Sequence, residues 1–229
     1  MQVYESVLEM IGNTPMLHLS KLESNLQLKG RIYAKIEKYN PAGSIKDRVA
    51  FQMIKDAFEE GIINQNATLI EATSGNTGIG IAMVAAAYGL KCIITMPDSM
   101  SKERINMMKA YGAQVVLTDG AYGMKGAIAK AQQLCNEIDG AFILGQFENP
   151  ANPLAHYQTT GKEIYEQLDG KIDILVAGIG TGGTISGCGQ YLKQQNPNIK
   201  VIGIEPSDSP FLTQNKAGAH GLQGIGCCG

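Results

Sequence analysis

A lysine at the predicted start of a helix is the first residue whose placement points to chemistry. In Asn40-Pro-Ala-Gly-Ser-Ile-Lys-Asp-Arg48, Ser44 and Asp47 have capping-box-like spacing, which predicts Ser44 at the N-cap and Lys46 in the first helical turn. The helix macrodipole makes that end positive and disfavours an ammonium there. On position alone, a solvent-facing lysine that the helix tolerates is the simpler reading. With burial added, the same field lowers the ammonium pKa, and a neutral amine can attack a carbonyl. A second segment, Glu71-Ala-Thr-Ser-Gly-Asn-Thr-Gly78, gathers the hydroxyls of Thr73, Ser74 and Thr77 and the amide of Asn76 at another helix start. With the free backbone N–H groups of that turn they form a concavity for a carboxylate or a phosphate. Ordinary N-capping needs one such residue, not a run of four with two glycines, so anion binding is preferred.

The third segment is Gly178-Ile-Gly-Thr-Gly-Gly-Thr184, after the apolar run Asp173-Ile-Leu-Val-Ala177. Gly178, Gly180 and Gly183 satisfy G-x-G-x-x-G, and Glu205 stands where a ribose-binding acid would. That favours a nicotinamide-dependent oxidoreductase. The compact core from Gly180 through Thr181, Gly182 and Gly183 to Thr184 equally suits a single phosphate monoester. The motif alone leaves both open.

These turns require strands to deliver them and helices to follow. Apolar runs predict strands at Ile32–Glu37, Thr68–Glu71, Lys91–Met96, Gln114–Thr118, Ala141–Leu144, Asp173–Ala177 and Lys200–Glu205. Helical patterns fill Ser44–Glu60, Asn76–Tyr88, Ser101–Tyr111, Tyr122–Glu137, Ala155–Leu168 and Gly182–Gln195. The alternation implies α/β architecture with mostly parallel sheets covered by helices, and ligands at the carboxyl ends of strands. The turn-rich stretch Gln146–Pro153 is the expected seam between two lobes.

Composition narrows the function classes. The 229 residues carry 19 Lys+Arg against 21 Asp+Glu with no basic cluster, which argues against nucleic-acid binding. Hydrophobic residues at 44 % support a packed core, and 28 glycines point to tight turns and close backbone approach to ligands. Five cysteines without a C-x-x-C pair and three scattered histidines offer no metal site and no disulfide framework. Without a secretory signal or a membrane-length apolar run, the expectation is a cytoplasmic protein with reduced thiols.

Taken in order, the motifs resemble those of the fold-type II pyridoxal-phosphate enzymes (tryptophan synthase β-like), and within them the cysteine synthase (O-acetylserine sulfhydrylase) family. The resemblance runs from Ile11-Gly-Asn-Thr-Pro15 through Asn40–Arg48, Thr73–Gly78, Met96–Ser101, Gly123–Ile128 and Gln146–Pro153 to Gly180–Thr184. It implies that Lys46 holds pyridoxal 5′-phosphate covalently and moves the substrate α-proton. It further implies that Asn76 bonds the cofactor's 3′ oxygen and that Gly180, Thr181, Gly182, Gly183 and Thr184 cradle its phosphate. Thr73, Ser74, Thr77 and Gln146 match positions that bind the substrate carboxylate, and Gly224 matches a loop bordering the site. For Gln146, a loop-capping amide is nearly as good a reading.

The reaction implied is β-replacement, from O-acetylserine and sulfide to cysteine and acetate. The implied partners are a second copy of the chain and serine acetyltransferase. A smaller lobe at 45–148 and a larger one at 1–44 plus 149–229 are expected. Family members are longer, so the resemblance also implies a chain shortened after Gly226-Cys-Cys-Gly229, with the Ser or Thr that pairs with the pyridine nitrogen lying beyond it. Two alternatives remain alongside: cystathionine β-synthase-like activity, which Asn152-Pro-Leu-Ala-His-Tyr157 also fits, and a fragment that binds cofactor or a partner without turnover.

Overall fold

The computed structural model describes residues 3–226; Cys227 and Cys228, expected to belong to a shortened end, lie outside the described residues. The chain opens with β1 (Met16–His18), α1 (Ser20–Asn25) and β2 (Tyr33–Lys35). It continues through α2 (Lys46–Glu59), β3 (Thr68–Ala72), α3 (Asn76–Tyr88), β4 (Lys91–Pro97), α4 (Lys102–Ala110) and β5 (Gln114–Thr118). After α5 (Gly123–Glu137) and β6 (Ala141–Ile143) come α6 (Ala151–Ala155), α7 (Gly161–Gln167), β7 (Ile174–Gly178), α8 (Gly183–Gln195), β8 (Lys200–Ile204) and α9 (Phe211–Gln214).

Four strands form a parallel sheet in the order β5-β4-β3-β6, in register through Ile70↔Ile93, Ile94↔Val115 and Ile70↔Ile143. Successive residues of a strand point to opposite faces. Leu69 and Ile94 accordingly join the core with Val49, Met53 and Ile54 of α2 and Ile81 and Val84 of α3, whereas Ile70 and Ile93 meet Ala131 of α5 on the other side. Helix α3 is apolar all round because it is sandwiched: every residue from Thr77 to Ala85 is buried. It stops at Gly89, whose φ of 70° supplies the left-handed C-cap.

Strands β7 and β8 pair in parallel, and α8 covers one face through Cys188 and Leu192. The other face leaves Ile174, Val176, Ile202 and Ile204 about half exposed. Among the described residues, no helix is long and apolar enough to cross a membrane.

The predicted strands and helices appear with shifts of a residue or two, apart from the differences that follow, and α1 and α9 form where no helix was predicted. Strand β1 was not expected; it pairs antiparallel with β2, Met16 opposite Lys35. Strand β2 is shorter than predicted because Ile32 N–H is bonded to Glu23 and Glu37 opens a 3-10 turn. The helix expected over Ala155–Leu168 starts at Ala151 and is broken by a π-helical turn at His156–Thr160. There Thr159 Oγ1 donates to the Ala155 carbonyl at 2.6 Å and Thr160 Oγ1 lies 2.9 Å from His156 Nδ1. Threonine hydroxyls that compete for the preceding turn's groups loosen the regular ladder.

Candidate active site

Lys46 is the first residue of α2, as its position in the sequence predicts. The cap differs from the expected box. Ser44 Oγ does accept from Lys46 N–H at 3.1 Å, but the Asp47 carboxylate reaches back to Ala42 N–H at 2.7 Å. This ties the Asn40–Ser44 turn down under the helix start. Burial pushes the Lys46 ammonium below its usual pKa. Among the described residues no carboxylate pairs with it; its hydrogen-bond partner is Thr181 Oγ1 at 3.3 Å.

Thr181 lies in the glycine-rich turn between β7 and α8. Gly182 has φ +82° and opens the N-terminus of α8, where backbone N–H groups lack helical acceptors. A Cβ on Gly183 would overlap Asn152 Oδ1, and one on Gly180 would strike the Gly224 carbonyl. The turn is therefore a cradle whose backbone approaches its neighbours closely, and Thr184 Oγ1 stands 3.3 Å from His156 Nε2 behind it. Burial, then the Lys46 and Arg48 charges, push the His156 imidazole down to about 3, so it stays neutral beneath the cradle.

The Thr73–Thr77 turn faces the same region. No side chain caps the start of α3; Thr73 Oγ1 instead accepts from Gly75 N–H at 3.3 Å. Asn76 is exposed at the first helical position, and Thr77 is buried and donates to Gln146 Oε1 at 2.6 Å. Gln146 is buried, and its N–H and that of Gly145 donate to the Glu71 carboxylate at 3.2 and 2.9 Å. Burial raises the Glu71 pKa and these two N–H groups partly oppose it. With Oε1 committed to Thr77, the Gln146 Nε2 hydrogens remain to donate to an anion. Gly80 lets the two helix starts approach: a Cβ there would lie 3.2 Å from the Lys46 carbonyl.

Of the predicted residues, Lys46, Thr181, Gln146 and Thr77 are joined by hydrogen bonds, with Asn152 supplying the link, whereas Thr73, Ser74 and Asn76 stand outside that chain. Asn152 Nδ2 donates both to the Gln146 carbonyl and to Thr181 Oγ1, each at 2.8 Å. A chain of hydrogen bonds runs Lys46–Thr181–Asn152–Gln146–Thr77. Gly224 has φ +80° and lies against Gly180 from the loop that Gly226 N–H fastens to Ile179 at 2.8 Å. Ser74 is drawn into the surroundings through its carbonyl, which accepts from Arg104 Nη1 at 3.2 Å; the same guanidinium reaches Gln223. Glu205, the candidate ribose acid, accepts from Leu212 and Thr213 N–H at 2.8 and 3.1 Å, capping α9.

A buried amine, a glycine-rich turn at a helix start and a separate polar turn form a donor set suited to a phosphorylated aldehyde and a carboxylate together. The family model for pyridoxal-phosphate dependent enzymes matches residues 7–225. The chain belongs to that family. Cysteine synthase B of Campylobacter jejuni is 50 % identical over 226 residues, covering 99 % of this chain and 74 % of the relative. A hydrogen sulfide-producing enzyme from Fusobacterium nucleatum has a TM-score of 0.95 at 44 % identity, over 99 % of this chain and 74 % of that one. The cysteine synthase structure from Entamoeba histolytica gives 0.94 at 41 %, over 98 % and 67 %. The fold is that of the fold-type II pyridoxal-phosphate enzymes, and the cofactor is pyridoxal phosphate.

As a pyridoxal-phosphate enzyme, the chain uses residues that the sequence reading left without a role. Glu71 fixes the Gln146 loop, His156 backs Thr184, Arg104 holds Ser74, and Asn152 joins the two turns. A buried-type polar residue inside the turn-rich Gln146–Pro153 stretch was the available signal for Asn152.

Proposed function

We propose that this chain catalyses β-replacement on O-acetylserine, taking up sulfide and releasing cysteine and acetate. The observation that carries the reading is the hydrogen-bonded chain from Lys46 through Thr181, Asn152 and Gln146 to Thr77, which links one amine to both polar turns. When bound, pyridoxal phosphate supplies an electron sink that acidifies the substrate Cα–H.

In this reading Gly180–Thr184 hold the phosphate, and Asn76 donates to the cofactor's 3′ oxygen. The backbone N–H groups of the Thr73–Thr77 turn, with the Gln146 amide, hold the substrate carboxylate and direct Cα–H toward Lys46. The Lys46 amine, its pKa lowered by burial, accepts that proton on Nζ and later returns it. Gly224, against Gly180, borders the site. The 45–148 and 1–44 plus 149–229 lobes, a homodimer, a cytoplasmic location and docking of serine acetyltransferase complete the reading, supported by the family resemblance. The test is to supply pyridoxal phosphate, O-acetylserine and sulfide and to quantify cysteine and acetate. Equimolar products support the proposal. Product only when homocysteine replaces sulfide would move the activity to cystathionine formation, and cofactor binding without product would leave a binding protein.

A further inference from the structure

Asn152 is 2 % exposed, and both its amide hydrogens are committed, one to the Gln146 carbonyl and one to Thr181 Oγ1. Among the described residues its Oδ1 has no hydrogen-bond partner and is buried, pressed against Gly183. Turning the amide over would satisfy neither acceptor, because a carbonyl oxygen would then face the Gln146 carbonyl. The orientation is therefore fixed, and it leaves one buried acceptor unpaired, a feature that calls for a reason.

We propose that Asn152 is a positioning residue that couples the carboxylate-binding turn to the phosphate cradle. This rests on the function proposed above and names a part of that site. Thr181 Oγ1 accepts from Asn152 Nδ2 and from Lys46 Nζ, which occupies its two lone pairs and directs its own hydrogen elsewhere. When the Lys46 amine turns to other work, Asn152 still holds the Thr181 hydroxyl as a donor toward the cradle. Through its second hydrogen Asn152 fixes the backbone of Gln146, whose side chain receives Thr77. One amide thus sets a donor in each subsite, and a disturbance on one side is felt on the other.

The experiment measures two affinities rather than turnover. Pyridoxal phosphate is titrated into the apo-protein, and L-alanine, which has no leaving group at Cβ, is titrated into the loaded protein by absorbance. Asn152→Ala is expected to weaken both by roughly fivefold or more, the worth of one net hydrogen bond. Thr77→Ala should weaken L-alanine binding most in the parent, with a smaller loss of pyridoxal phosphate affinity carried through Asn152, and both losses should shrink in the Asn152→Ala background. Should Asn152→Ala fail to fold, the cycle of Thr77→Ala with Thr181→Ala reads the same coupling with Asn152 intact. Additive effects in that cycle, or an Asn152→Ala protein whose two affinities match the parent, would overturn the proposal. Loss of cysteine formation with coupled affinities preserved would count against the proposed reaction and not against the role of Asn152.

Discussion

Replacing Glu163 by glutamine probes the ion cluster that anchors α7 to the start of α2, two residues from Lys46. The Glu163 carboxylate accepts from Arg48 Nη1 and Nη2 at 2.6 and 2.8 Å, from Lys35 Nζ at 2.7 Å and from Asn13 N–H at 2.9 Å. Its side chain is 13 % exposed. Burial alone would raise the carboxyl pKa, but the hydrogen bonds and charges of Arg48 and Lys35 outweigh it and hold the group at about 2, against an ordinary 4.5. A depressed carboxyl pKa gives stability that is complete above the unfolded-state value and is lost as pH falls through the folded-state value. The window here runs from pH 4.5 down to about 2.

At 1.36 kcal/mol per pH unit, that contribution is about 3 kcal/mol at neutral pH. Glutamine keeps the shape and one acceptor but leaves Arg48 with Glu37 as its remaining carboxylate, at 2.8 Å to each oxygen. Removing one partner of a buried pair costs roughly 3–5 kcal/mol, which agrees. Urea unfolding at pH 7, repeated in steps into acid, is the assay. Glu163→Gln should be less stable by about 3 kcal/mol at pH 7, with the gap narrowing below pH 4.5. A variant within roughly 0.5 kcal/mol of the parent, or a gap that does not narrow, refutes the reasoning.

Four further outcomes follow from the same geometry. Gly183→Ala should displace Asn152 and weaken pyridoxal phosphate binding by roughly tenfold or more, read by cofactor titration; unchanged affinity would place the phosphate elsewhere. Because burial lowers the Lys46 pKa, covalent cofactor attachment should persist to lower pH than for a solvent-exposed lysine; an absorbance–pH series in which attachment appears only near the ordinary lysine pKa would contradict this. His156 is neutral in the fold down to about 3, so stability falls as pH drops below 6.5; His156→Gln should remove about 2 kcal/mol of the loss between pH 7 and 5, measured by urea unfolding at both. The half-exposed row Ile174, Val176, Ile202 and Ile204 should bind an anionic naphthalene dye, and Ile202→Lys should reduce its fluorescence.

The sequence made the α/β architecture legible because its buried strands are continuous apolar runs and its turns carry glycine or hydroxyl residues where helices begin. The Thr73–Thr77 turn could be picked out on local grounds, whereas Lys46 and the Gly180–Thr184 turn kept a second local reading open until the whole set of motifs was considered. Strand β1 could not: three residues whose pairing partners lie fifteen or more positions away have no local period. The π turn at His156–Thr160 was hidden because two adjacent threonines inside a helical pattern do not reveal where their hydroxyls bond. Asp47 looked like a cap for Ser44, yet tertiary packing of the Asn40–Ser44 turn offered it Ala42 N–H instead. Asn152 and Glu71 acquire their roles from contacts between distant turns, which no single stretch of sequence displays.

The proposed function requires Lys46 to hold the cofactor. The chain should be loaded with pyridoxal phosphate, reduced with borohydride, digested and mapped by mass spectrometry. The predicted result is one reduced adduct, on the peptide containing Lys46, absent from Lys46→Ala while that variant keeps its fold by circular dichroism. An adduct on a different lysine, or one that survives Lys46→Ala, would contradict it.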